Sequence, residues 1–144
     1  MRTDPMFVAW QTDGREDMIV REMFRPWTQL IREVTGRGVE VRRARIVSEP
    51  ISEYVRFEYE LSETNIAAGE KIRWLPRRRA TDLALPGNDF WIFDEKTVQV
   101  NHFTGDGESA GHETTTDPAV AQLCASAFEA VWERAIPHED YRPA

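Results

Sequence analysis

Cysteine is nearly missing from this 144-residue chain. Cys124 stands alone, so no internal disulfide can form, and the expected setting is a reducing cytoplasm. Long apolar runs are missing too: none approaches the ~20 residues a membrane span needs, and no signal-peptide pattern opens the sequence. The three histidines, His102, His112 and His138, do not sit at i, i+4 or beside a second cysteine. That spacing excludes a local zinc motif, and neither a metal nor a cofactor is expected. No G-x-S-x-G, Walker or G-x-G-x-x-G pattern occurs, and Gly105-Asp106-Gly107 is turn chemistry without the acidic ladder of a calcium loop. Cys124 falls on an apolar helical stripe, where it acts as a small hydrophobe rather than a nucleophile.

Charge is plentiful but one-sided. The formal net charge is -7, the isoelectric point is near 5.0, and 30% of residues are charged. Direct binding to nucleic acid or an anionic membrane is therefore not expected. Nearly all the positive charge is arginine, in two clusters: Arg37, Arg42, Arg43 and Arg45, then Arg73, Arg77, Arg78 and Arg79. Arg42, Arg43, Arg77 and Arg78 are candidate contacts for a small anionic ligand or a partner, because arginine grips carboxylate and phosphate well. The plainer account is that they are solvated and paired with Asp and Glu.

The densest apolar stretch runs from Asn88 to Phe103, where two runs flank a polar turn, Asp94 to Thr97, as in a β-hairpin. Phe90 and Ile92 alternate with Trp91 and Phe93, which predicts a strand covered on both sides. Before it, residues 1–14 read as an irregular lead-in anchored by Phe7 and Trp10. Arg15 to Phe24 reads as a short helix. Pro26 opens a second helix to Thr35, with Trp27, Leu30, Ile31 and Val34 at helical spacing and Gly36 and Gly38 at its end. Val39 to Val47 is a strand. The segment from Ser52 to Leu61 fits either a helix, with Ser48 as cap and Pro50 in its first turn, or a strand. The helix is favoured because it supplies a crossover between parallel strands. Glu70 to Leu75 is the next strand, and Arg77 to Leu85 is a short helix or loop. Beyond the hairpin, Glu108 to Thr116 reads as polar and mobile. The last helix has Asp117 as cap, Pro118 in its first turn, and Val120, Leu123, Cys124, Ala127, Phe128, Val131 and Ala135 on one stripe. Pro137 ends it, and residues 138–144 form a short polar tail. The predicted fold is α/β or α+β, a single domain over residues 1–144 with a small mixed sheet, a central hairpin and helices packed on it.

A pocket is easier to derive from these residues than a catalytic centre. Asn65, Arg73, Trp74, Asp89, Trp91, Asn101 and His102 are candidates to converge at the ends of neighbouring strands, where α/β sheets place ligands. The plainer account makes the tryptophans core and gives Asp89 and Asn65 to turns. Asp89 and Asp94 lie roughly 17 Å apart along one strand and cannot act as an acid/base couple. His102 closes a strand as the histidine of the H-x-K-x4-D pattern of phospholipase D-like phosphodiesterases does. Thr104 and Ser109 stand where Lys and Asp are required, so that catalysis is not supported and only a loose resemblance to a non-catalytic half of that fold remains.

Several blocks together carry a second resemblance: Gly38 to Pro50, Asn65 to Glu70, Arg73 to Arg77, Leu85 to Trp91, Asn101 to Phe103, and Phe128 to Trp132 with Pro137-His138. From about Pro5 onward the chain closely resembles an actinobacterial family catalogued as domain of unknown function 6879. Members usually carry an additional N-terminal segment ahead of the region matching Met1-Arg2, so by this resemblance the chain looks truncated or started late. The family has no assigned catalytic residue. Its members are often encoded beside helix-turn-helix regulators, which implies a cytoplasmic, regulatory role. The expected function is a non-catalytic regulatory or ligand-binding module partnering a helix-turn-helix transcription regulator. The alternative is a small enzyme or phosphate-ligand processing protein using the arginine clusters and His102.

Overall fold

The local signals at each helix end explain where the chain turns. A computed structural model describes the backbone of residues 4–13 and 18–144. Residues 1–3 and 14–17, and the side chains of residue 9 and of residues 12–22, lie outside the description. The expected irregular lead-in is instead helix α1 (Pro5–Asp13) from its fifth residue. Asp4 Oδ1 accepts from the Met6 amide at 2.8 Å, an N-terminal cap followed by Pro5 in the first turn. Phe7 and Trp10 are buried against Phe57, which gives this short helix the tertiary packing that a weak local pattern does not announce.

Helix α2 (Met18–Gly36) is continuous through Pro26, where two separate helices were expected. A mid-helix proline deletes one backbone bond and costs about 3 kcal/mol. Burial of Thr28 and Ile31 beyond the proline offsets that cost. Part of the expected helix from Arg15 lies outside the described residues. Past Gly38, which adopts φ +87°, strand β1 (Arg42–Val47) begins later than the alternation of Val39 and Val41 indicated. Helix α3 (Glu53–Ala67) follows. Its cap is Ser52, not Ser48, and the Ser52 hydroxyl accepts from Val55 N at 3.1 Å. Strand β2 (Lys71–Pro76) then pairs in parallel with β1, so α3 is the crossover between them. A 3-10 turn over Arg77–Arg79 leads into a loop.

The hairpin comprises β3 (Asp89–Phe93) and β4 (Thr97–Phe103), in register from Asp89 opposite Asn101 to Phe93 opposite Thr97. β5 (Ser109–Thr115) pairs antiparallel with β4 across a register shift at Asn101/Phe103. This corrects the mobile polar segment expected there. Its side chains are almost all exposed, so main-chain pairing rather than an apolar face makes it a strand. Helix α4 (Pro118–Arg134) starts as read, with Asp117 Oδ1 accepting from Ala119 N at 2.9 Å. Leu123, placed on its apolar stripe, is 48% exposed. Strand β6 (Ile136–Pro137) closes the order.

The architecture is α+β, with two three-stranded sheets instead of one. The mixed sheet runs β1-β2-β6, and the hairpin builds a separate antiparallel sheet, β3-β4-β5. β3 is thus an edge strand rather than one enclosed within a sheet, and Phe93 is 49% exposed. Phe90 and Ile92 do pack inward, with Val98, Val100, Ala121 and Cys124. The expected polar tail is also core. Tyr141 stacks on the fully buried Trp74 with ring centroids 5.5 Å apart, and Trp74 Nε1 donates to His138 Nδ1 at 3.0 Å. No helix among the described residues is long and apolar enough to cross a membrane.

Candidate functional site: a cleft between two strand edges

Among the described residues β1 pairs only with β2, and β3 only with β4, so each strand keeps one unpaired edge. A cleft of about 740 Å³ lies between them, lined by every residue of β1 and by Asp89, Phe90 and Trp91 of β3. Successive strand residues point to opposite faces. A cavity touching all of them therefore runs along the edge, not over one face. Lys71 N donates to Val41 O at 2.9 Å, which turns the odd-numbered amides of β1 toward β2. Arg42, Ala44 and Ile46 are left to direct their main-chain groups into the cleft. Arg77 already meets that edge, with Nη2 3.3 Å from Ile46 O.

The two walls differ. On one side α4 contributes Ala127, Phe128 and Val131, next to Ala44 and Ile46 of β1. On the other, α3 contributes Tyr54, Val55 and Glu58, next to Arg43 and Arg45. One wall is apolar and the other largely polar. Burial, reinforced by nearby Glu58, pushes the Tyr54 hydroxyl up to about 12, so it is a neutral phenol at physiological pH.

The arginines of β1 are held rigidly. Arg42 lies over Phe128 and Trp132 and pairs with Glu40 and Glu129. Arg43 sits beside Trp27 and Trp91, 5.4 Å and 4.9 Å from their ring centroids. Its Nε lies 2.6 Å from Oε1 of Glu70, whose side chain is fully buried. The contact is a buried ion pair. Desolvation, and then the neighbouring Arg45 charge, draw the Arg43 guanidinium below its ordinary range. Arg45 Nη1 pairs with Glu58 at 2.6 Å. Glu70 is delivered by the turn that ends α3. Gly69 there takes φ +117°, and a Cβ would lie 2.5 Å from Thr35 Oγ1 of α2.

The residues singled out from sequence therefore divide. Arg42, Arg43, Arg77, Asp89, Trp91 and Asn101 share the cleft. Asn65 is buried beside a smaller pocket on the α3 side. Trp74 is core. Arg73 is turned to α4, where it donates to Trp132 O at 2.8 Å and lies over that ring. His102 does not line the cleft, and it pairs with Glu113 of β5 at 3.1 Å. Arg78 is exposed, 4.0 Å from Glu49. Nothing in this arrangement brings the arginine clusters and His102 to one point. Burial raises the pKa of the Cys124 thiol, away from nucleophilic character. Among the described residues no group of three or more His, Cys, Asp or Glu is placed to hold a metal. Sequence reading did not select Arg45, Tyr54, Glu58 or Glu70 for the site. The only signal was Arg43-x-Arg45, two cations on one strand face.

Fold and cleft together define an α+β protein in which two small sheets confront each other through unpaired edges. The chain belongs to the family described as Domain of unknown function (DUF6879), whose model matches residues 1–143. No curated protein and no solved structure matches it.

Proposed function

We propose that this protein is a non-catalytic binding module that accepts an extended segment of a regulatory partner, a helix-turn-helix transcription regulator, in the inter-sheet cleft. One observation carries the reading: two unpaired strand edges face the same cleft. An extended peptide between them pairs its main chain with exposed strand groups, and its alternating side chains meet an apolar wall of α4 and a polar wall of α3. The matching segment alternates apolar and polar residues. Asp89, exposed at the start of β3, suits one basic residue of that segment, and Arg77 on the β1 edge suits an acidic one. The acidic charge of the whole chain favours a basic partner, and a DNA-binding protein is one.

The test is size-exclusion chromatography of the protein with the regulator encoded beside it, followed by amide exchange on the complex. Co-elution with slowed exchange at Ala44 and Ile46 is expected. Ala44→Pro removes an edge donor at a position where an edge strand tolerates proline, and it should weaken binding by roughly tenfold or more. Separate elution, or protection confined to other elements, overturns the reading.

A further inference from the structure

The inter-sheet cleft is blocked at one end. Glu95, in the turn that follows β3, is close enough to Arg42 at the start of β1 for their charges to interact. Glu108, past β4, stands in the same relation to Tyr54 at the start of α3, just beyond the end of β1. β3 therefore runs opposite to β1 across the cleft, and Asp89 begins β3 at the level where β1 finishes. β2 finishes at that level too, with Pro76 opposite Val47. Because β1 lies between β2 and the cleft, the chain from Pro76 must cross this end to reach Asp89. Arg77, Leu85, Pro86, Gly87 and Asn88 of that crossing line the cleft. An extended chain entering between the two edges meets them and cannot run straight on.

Charge at this end is unlike charge along the rest of the cleft. Arg42, Arg43 and Arg45 each meet a carboxylate. Arg77 is exposed and has no carboxylate partner among the described residues; its guanidinium touches only Ile46 O. That contact sets it in line with the β1 edge, where the main chain of an added strand would run. Asp89 is placed differently. It alternates with the inward Phe90 and shares the other face with Trp91, so its carboxylate reaches side chains instead. The main chain carries a full charge only at its termini. A C-terminal carboxylate matches Arg77, which can grip it through two parallel N–H bonds, and needs no continuation past the crossing. An N-terminal ammonium would meet Arg77 as a like charge. We propose that the segment held in the cleft is the C-terminal tail of the partner, running parallel to β1, with its terminal carboxylate accepting from Arg77 at the blocked end. This rests on the docking proposed above, and adds which part of the partner is held and in which direction.

The probe is a peptide of about eight residues, long enough at ~3.3 Å per residue to cover the β1 edge. It copies the C-terminus of the regulator encoded beside the protein and is made as the free acid and as the C-terminal amide. In calorimetric titration of the full chain the acid should bind, and the amide should bind roughly tenfold or more weakly. Arg77→Gln alters an exposed side chain and removes no core. It should weaken the acid by about tenfold or more and leave the amide nearly unchanged, whereas damage to the cleft itself would weaken both alike. The regulator without that tail should elute separately from the protein in size-exclusion chromatography. Silence of the free acid, equal affinity of acid and amide, or equal losses of both in Arg77→Gln would each overturn the proposal. If the tailless regulator still co-elutes and slows amide exchange at Ala44 and Ile46, an internal segment docks: the cleft keeps its role and the C-terminal capture falls. If the intact regulator elutes separately, both fall.

Discussion

Arg42, Arg43, Arg45 and Arg73 each lie over an aromatic ring, and the three on β1 also meet carboxylates. They are paired or ring-stacked rather than free surface cations, and of the four Arg43 is the one that burial desolvates. Breaking the buried Arg43–Glu70 pair from one side leaves an uncompensated charge, a loss on the order of 3–5 kcal/mol. His138 is the residue whose environment sets a pH response. Its Nδ1 accepts from Trp74, so the ring is neutral with its proton on Nε2, which lies 3.8 Å from Glu63. Burial draws its pKa below the ordinary 6.5, and the Glu63 charge only partly opposes this. The unfolded chain therefore binds a proton that the folded chain refuses. This contribution is fully present above pH ~6.5 and is lost as pH falls toward the folded value, by at most ~1.4 kcal/mol per pH unit. Urea unfolding between pH 5 and 7 should show that slope, and His138→Gln, which still offers Trp74 an acceptor, should flatten it. An unchanged slope in the variant would remove His138 from the account.

Among the elements, the hairpin turn carries the clearest local strain. Asp94 and Glu95 both have positive φ, +54° and +60°, and Lys96 N returns to Phe93 O at 3.0 Å. Two successive left-handed residues suit the twist of an antiparallel pair, but they favour Asn and Gly. Asp94→Asn with Glu95→Gly should therefore raise stability by about 1 kcal/mol, read as a higher urea midpoint at unchanged m-value. Hairpin and last helix are legible because their signals are local: apolar alternation around a polar turn, and Asp-Pro ahead of a periodic stripe. The crossover helix is not, because Val55, Phe57, Tyr59 and Leu61 alternate as a strand would, and Ser48-Glu49-Pro50 offers a cap that the structure places at Ser52 instead. The sequence suggests two helices in place of α2 because proline is a strong local signal, whereas Thr28 and Ile31 beyond it are buried in tertiary packing that no local pattern announces. β5 was missed because nothing in Ser109–Thr115 alternates. Its pairing with β4 comes from main-chain groups that every sequence carries.

At the scale of the whole molecule the C-terminal residues hold the mixed sheet in place. Ile136 and Pro137 pair with β2, Tyr141 stacks on Trp74, and its hydroxyl donates to Glu49 at 2.9 Å. Ala144 O accepts from Ile51 N at 2.9 Å, which ties the chain end to the loop before α3. Removing residues 138–144 strips the stack from a fully buried tryptophan. Truncation after Pro137 should lower stability by at least ~3 kcal/mol in chemical denaturation, whereas a disposable tail would leave the transition unmoved. The short polar composition of this segment hid its role, because two anchoring side chains among seven residues form no pattern.

The sequence by itself determined a fold mixing helices with a small sheet, the hairpin, the capped last helix and the family, and it left open both the choice between α/β and α+β and whether Ser52 to Leu61 is helix or strand. What it determined follows from periodicity, capping or a run of matching blocks along the chain. Tertiary structure alone decided that the hairpin leaves the mixed sheet to form its own, that β1 and β3 turn unpaired edges to one cleft, and that Asn65, Arg43 and Arg45 meet beneath it. Those facts depend on which edges pair and which side chains are desolvated together. Both are settled by contacts between residues distant in sequence, which no local pattern encodes.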